Sequence, residues 1–283
     1  MSQSINGRDI VELVKFKLTF FVALSSLAGY ALNSGNVFTF QGAYLFCLVF
    51  LSAASSIIFN QAYEAQEDRL MRRTMKRPIP LNKISVKRAL LLSVLLASFS
   101  MIALFVRFGA VVSYLSLITF ALYNFVYTPL KKLSPWAIIV GALPGAIPTL
   151  AGAFASNSRP ISQESVLLFL ILFLWQLPHF VGLSVLYKDD YERAGFKIGF
   201  SRDNKLFFSV VLVFTVPCLM LLTFYLMGKL ENLFLFLLVF FGQLGGVISI
   251  IYLLLQQNRE SGVYAVKNLS FFLLVVMCGV ILT

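Results

Sequence analysis

The chain has 283 residues, 59% of them hydrophobic and only 12% charged, with a net charge of +11. A soluble domain carries about 25% charged residues, so this composition excludes one. Mean hydropathy of +0.87 and 29 phenylalanines, without strand-period alternation, also exclude a membrane β-barrel and leave a polytopic helical membrane protein.

Nine apolar segments follow in chain order, each near the ~20 residues needed to cross a bilayer. The first, 16–33, comes after a short polar lead. It loosely resembles a secretory signal, but the small-residue cleavage pattern is weak and it reads as a retained span. The second, 40–62, is polar near its end, with Ser52, Ser55, Ser56 and Asn60, and runs into a charged stretch from Glu64 to Arg77. The third and fourth, 89–106 and 109–127, meet at a short turn, Arg107-Phe108-Gly109. The fifth, 136–156, carries Pro144 and Pro148, which predict a bend, and Gly141, Gly145 and Gly152, a small-residue face suited to close helix packing. The sixth, 165–187, holds Trp175, Gln176 and His179 and leads into a second acidic stretch. Segments 206–227, 232–255 and 263–282 complete the set, and the Phe runs at 207–208 and 234–241 read as lipid or core contacts. Cys47, Cys218 and Cys278 fall within spans and read as buried thiols with no disulfide or metal pattern. The expected architecture is one all-α domain, 1–283, with nine transmembrane helices bundled around a central apolar cavity.

The positive charge follows topology rather than nucleic-acid binding. With the N-terminus in the cytoplasm, 20 of the 23 Lys and Arg fall on the inner side, leaving Arg107, Arg159 and Lys229 outside. This asymmetry obeys the positive-inside rule and suits anionic lipid. The acids cluster on the same side: Glu64, Glu67 and Asp68 after the second span, then Asp189, Asp190 and Glu192 after the sixth. Glu164 and Glu231 stand outside at expected helix starts, where a carboxylate suits the macrodipole. A transporter of anionic substrates would place charge at mid-bilayer, and these spans have almost none.

Asn60, Glu64 and Asp68 are spaced i, i+4, i+8, which on a helix gives one stripe of oxygen-bearing side chains. Mg²⁺ binds carboxylate oxygens together with substrate phosphates, and the neighbouring Arg and Lys suit the phosphates themselves. Two solvated loops obeying topology would share this composition but have no need of the stripe.

These residues carry a resemblance. Asn60-x-x-x-Glu64-x-x-x-Asp68, followed by Met71-x-Arg73-Thr74-x-x-Arg77-Pro78, is similar to the first signature of the UbiA-type intramembrane prenyltransferases. Tyr127-Thr-Pro129-Leu-Lys131-Lys, Gly141-Ala-Leu-Pro-Gly145-Ala-Ile-Pro148, Trp175-Gln176-Leu-Pro178-His179-Phe180 and Tyr187-Lys188-Asp189-Asp190-Tyr191-Glu-Arg193-Ala-Gly195 follow in the family's order. They resemble most closely its haem-farnesylating branch. Two departures stand in the first motif: Glu64 where the family commonly has Asp, and Gln66 where it is often acidic. Glu still ligates Mg²⁺, with Glu67 an alternative ligand.

The resemblance implies farnesyl diphosphate and haem B as substrates, and haem O and diphosphate as products. It implies one Mg²⁺ on Asn60, Glu64 and Asp68, a second held or oriented by Asp189 and Asp190, and phosphate contacts from Arg73, Arg77 and Lys188. Tyr127, Gln176 and Tyr187 are expected at substrate, and His179, the only histidine, on the haem side. Tyr123, Asn124 and Tyr127 also fit an interfacial aromatic belt. The implied setting is the plasma membrane with a cytoplasmic active site, in contact with a haem A synthase or terminal oxidase assembly. A prenyltransferase for an aromatic acid such as 4-hydroxybenzoate, an anion transporter and a non-catalytic haem-binding factor are the competing readings.

Overall fold

The computed structural model describes residues 5–34, 36–156, 161–229 and 233–282; Arg159 and Glu231, placed outside by charge, lie beyond these. Nine helices long and apolar enough to span a membrane are present among the described residues, as the hydropathy pattern predicts. In order they are α2 (Phe16–Ser34), α3 (Phe40–Tyr63), α5 (Val86–Phe108), α6 (Ala110–Ala121) with its continuation, α8 (Ala137–Ala155), α9 (Gln163–Leu186), α11 (Lys205–Lys229), α12 (Leu233–Gln256) and α13 (Arg259–Leu282). Short helices α1 (Gly7–Leu13), α4 (Ala65–Leu70), α7 (Thr128–Leu130) and α10 (Lys188–Arg193) flank them.

Helix α8 forms the centre. It packs on α2, α6 and α9, and 67% of its spanning segment is buried, against 28% for α5 at the periphery. Its small residues explain this. A methyl group at Gly152 would overlap the Ser26 carbonyl, and one at Gly29 would overlap the Thr149 carbonyl, so α2 and α8 meet backbone to backbone. Pro144 and Pro148 both lie inside α8, which remains one helix through them.

The turn between α5 and α6 sits on Gly109, whose φ of 87° favours glycine. Lys15 has φ of 45°, unusual for a side chain-bearing residue and costing about 1 kcal/mol. It turns the chain from α1 into α2. The Gln61 amide donates to the Leu13 carbonyl at 2.5 Å, and Lys83 pairs with Asp9 at 2.8 Å, so α1 is fastened to the end of α3 and to the loop after α4.

The cysteines are not buried as expected: Cys47 and Cys218 are exposed and Cys278 is half-buried. Spans that are apolar all round do not distinguish the lipid-facing side from the core, so hydropathy alone misplaces such residues.

Candidate active site

Helix α3 ends at Tyr63 and α4 starts at Ala65, with Glu64 as the junction at φ −93°, ψ 20°. The kink does not break the hydrogen-bond ladder. Glu64 N–H donates to Asn60 O and Asp68 N–H to Glu64 O, each at 2.9 Å. The i, i+4, i+8 register therefore survives, and Asn60, Glu64 and Asp68 all line one cavity of about 140 Å³ at this end of the bundle. All three are buried, at 3%, 5% and 2% exposure.

Isolated carboxylates at that depth are costly, and each has a cationic partner. Lys131 Nζ lies 2.5 Å from Glu64 Oε1, and Arg77 Nη1 lies 2.8 Å from Asp68 Oδ2. Lys131 is the partner of Glu64 Oε1, and no further donor reaches that oxygen. Asn60, which lines the cavity, donates through its amide nitrogen to Thr128 Oγ1 at 2.9 Å, a bond that does not use its amide oxygen. Two carboxylates and an amide oxygen are a donor set that fits one hard divalent cation. Among the described residues no group of three or more Asp, Glu, His or Cys stands together as a metal cluster.

Lys15 and Arg73 complete the cationic lining. Burial, then the nearby Arg77 and Arg73, push the Lys15 ammonium down to about 7, with Asp68 opposing and Lys131 adding to the shift. With Arg77 and Lys131, four basic groups thus face two carboxylates, a surplus suited to a polyanion.

Tyr123 and Tyr127 form another wall. They lie in a π-helical stretch, Leu122–Tyr127, that continues α6 into α7. Such turns are rare in helices and recur at functional sites. Tyr127 is only 8% exposed, which removes it from an interfacial belt. Its ring lies over Gly141, where a Cβ would come within 2.6 Å, and Lys131 Nζ sits 5.0 Å from its centre.

Gln176 and His179 open on a second cavity, of about 210 Å³, deeper in the bundle between α2, α8, α9 and α13. Its lining is mainly apolar, with Leu18, Phe21, Leu172, Trp175 and Leu273. His179 stacks on Trp175 with centroids 4.7 Å apart, and its buried Nδ1 has no hydrogen-bond partner. Gln176 donates to the Ala142 and Leu172 carbonyls. Phe180, the next residue after His179, faces the polar cavity instead, so α9 divides the two spaces.

The second acidic segment is arranged otherwise than its sequence suggests. Asp189 and Lys188 are exposed, and Lys188 lies 3.9 Å from Glu192 on the solvent side. Asp190 is buried, but both its oxygens accept from other groups: Arg72 N–H at 2.9 Å, Arg73 N–H at 3.3 Å and the Arg193 guanidinium. Burial raises this carboxyl; the two backbone donors and Arg193 outweigh it and hold the group below the usual carboxylate range. The side of α10 turned to the cavity carries Tyr191, and the Arg73 guanidinium lies 4.5 Å from the Tyr187 ring centre and 5.4 Å from that of Tyr191.

The sequence pattern of the UbiA prenyltransferase family matches residues 22–276. The chain belongs to the UbiA prenyltransferase family. Protoheme IX farnesyltransferase of Cytophaga hutchinsonii is 37% identical over 223 residues, covering 77% of each chain. The mitochondrial protoheme IX farnesyltransferase of Arabidopsis thaliana is 39% identical over 189 residues, covering 66% of this chain and 44% of its own. The fold is likewise shared with solved structures. A digeranylgeranylglyceryl phosphate synthase superposes with a TM-score of 0.73 at 18% identity over 97% of both chains. A UbiA homologue from Archaeoglobus fulgidus, solved with DMAPP and Mg²⁺, superposes with a TM-score of 0.62 at 16% identity, covering 95% of this chain and 99% of its own. This UbiA-family chain is therefore a multi-pass membrane prenyltransferase.

Proposed function

We propose that the protein transfers a farnesyl group from farnesyl diphosphate to a vinyl group of haem B, giving haem O and diphosphate. The observation that carries this reading is the pairing of two cavities across α9. One is polar and cationic at the bundle end; the other is apolar at membrane depth and holds the only histidine.

In the polar cavity, Arg73, Arg77, Lys131 and Lys15 receive the diphosphate. The allylic C–O bond ionises, and these cations stabilise charge as it gathers on the leaving oxygens. Asn60, Glu64 and Asp68 would hold Mg²⁺, which neutralises phosphate charge when bound. Lys131 and Arg77 then exchange their carboxylate partners for phosphate oxygens. The farnesyl C1 bonds to the terminal vinyl carbon of the porphyrin. Water adds to the cation left on the inner vinyl carbon and loses a proton, giving the hydroxyethylfarnesyl group. The Tyr123 and Tyr127 rings wall off water until that bond has formed. His179 and Gln176 address the porphyrin side.

The chain acts as one domain, with the polar cavity on the cytoplasmic face of the plasma membrane; the concentration of basic residues at that end supports this orientation. Its product would pass to a haem A synthase or a terminal oxidase assembly.

The test is incubation of purified protein with haem B, farnesyl diphosphate and Mg²⁺, followed by mass analysis. Haem gaining a farnesyl group and a hydroxyl group supports the proposal. Unchanged haem with prenylated 4-hydroxybenzoate in a parallel assay would replace it with the aromatic-acid reading.

A further inference from the structure

Asp190 is buried at 5% exposure in a segment with no other connection to the first motif in sequence. Its two oxygens accept from consecutive backbone N–H groups of Arg72 and Arg73, about 117 residues away in the chain. Arg193, one helical turn on, adds a charge-assisted bond to the same carboxylate and donates through Nε to the Leu70 carbonyl at 3.2 Å. The contacted stretch, Leu70 to Arg73, runs from the last residue of α4 through Met71, where the backbone has left helical geometry (φ −94°, ψ 128°) and the following N–H groups need outside acceptors. The Arg73 side chain continues from there between the Tyr187 and Tyr191 rings into the polar cavity.

We propose that Asp190 is a positioning residue: with Arg193 it latches the Leu70–Arg73 backbone, so that Arg73 is held over the donor cavity between Tyr187 and Tyr191. On this assignment the second acidic segment contributes aromatic rings and a backbone clamp to the site. Carboxylate for metal comes from Glu64 and Asp68 alone. Asp190 already accepts three hydrogen bonds, two on Oδ1 and one on Oδ2, which commits it to the latch, and Asp189 faces solvent. The proposal rests on the reading that the polar cavity takes the diphosphate.

The test uses full-length protein in lipid nanodiscs. Amide exchange of the 70–77 segment is read by mass spectrometry without substrate or metal, in wild type and in Asp190→Asn. Exchange about tenfold faster in that segment, with the spans unchanged, is expected from the loss of one charge-assisted bond and the weakening of two others. Activity should show KM for farnesyl diphosphate raised about tenfold and the Mg²⁺ activation midpoint unmoved. Arg193→Gln keeps the carboxylate and should move both readouts the same way, less far; it serves if Asp190→Asn does not fold. Unchanged exchange at 70–77 overturns the latch, and a raised Mg²⁺ midpoint in Asp190→Asn returns the residue to metal ligation. Because exchange is read without substrate, absence of farnesyl transfer would count against the proposed reaction and leave the latch result to stand by itself.

Discussion

Gly145 and the Gln176 side chain occupy the same small space: a Cβ on Gly145 would overlap the Gln176 amide oxygen. One turn earlier, Gly141 makes the same allowance for the Tyr127 ring. These two glycines seat polar side chains of the two cavities, whereas Gly152, further along α8, allows helix backbones to meet. Gly145→Ala should displace Gln176 and break its bonds to Ala142 and Leu172. The expected cost is about 1–3 kcal/mol, or roughly 3–10 °C in Tm. Differential scanning fluorimetry in detergent checks this, and an unshifted Tm would mean that Gln176 has room elsewhere.

Replacing the Asp68 carboxylate by an amide should leave Arg77 without its counter-charge and the donor set one negative charge short. Asp68→Asn is expected to lower kcat by about 10²–10³-fold, on the scale of losing one centre of transition-state charge stabilisation. Turnover assays check it; wild-type rates in this variant would remove the metal assignment at the first motif.

Lys15 gives the site a pH dependence near neutrality. Its ammonium is pushed down to about 7 in the folded protein, against about 10.4 for an unfolded lysine. The sign follows from proton binding. Between those values the unfolded chain holds the extra proton, so stability should rise with pH from about 7 to 10 and Lys15→Met should flatten that rise. A diphosphate in the cavity restores the charged form, so its binding near pH 8 should take up close to one proton. Calorimetry in buffers of different ionisation enthalpy measures this. Uptake that persists in Lys15→Met would place the proton on another group.

His179 lines an apolar cavity, and its buried Nδ1 has no hydrogen-bond partner. Haem B added to wild type should show a shifted Soret band, and His179→Ala should lose that shift. Asp68→Asn should retain it, since Asp68 lines the other cavity. Equal haem spectra in all three proteins would separate His179 from the porphyrin.

The nine spans were legible because a bilayer imposes one length and one chemistry on every crossing segment. The Asn60–Glu64–Asp68 stripe was legible because i, i+4 spacing is a local property that survives the kink at Glu64. Lys15 was missed. Nothing in its neighbourhood marks it; its place in the cavity comes from a left-handed φ and from Arg73, Arg77 and Lys131, which are distant in sequence. Lys131 falls within a sequence motif, but its pairing with Glu64 is a tertiary fact. In α10 the residue types stood out while the rotation of the helix did not. Asp189 was expected at a second Mg²⁺ and Lys188 at the phosphates; both are exposed, and the cavity-facing side carries Tyr191. Six residues give too little periodicity to tell those faces apart.

The π-helical stretch at Leu122–Tyr127 makes the fourth span one residue out of phase with itself. Everything after it is rotated by about 100° relative to an uninterrupted α-helix. Tyr123 and Tyr127, four residues apart, share a wall in either geometry, but the offset carries Lys131, beyond the π stretch, round to Glu64. Deleting a single residue such as Val126 would restore ordinary helical phase, turn Lys131 away and leave a buried glutamate without its counter-charge. Part of the site's charge balance is thus written in chain length rather than in residue identity, where no substitution scan would find it.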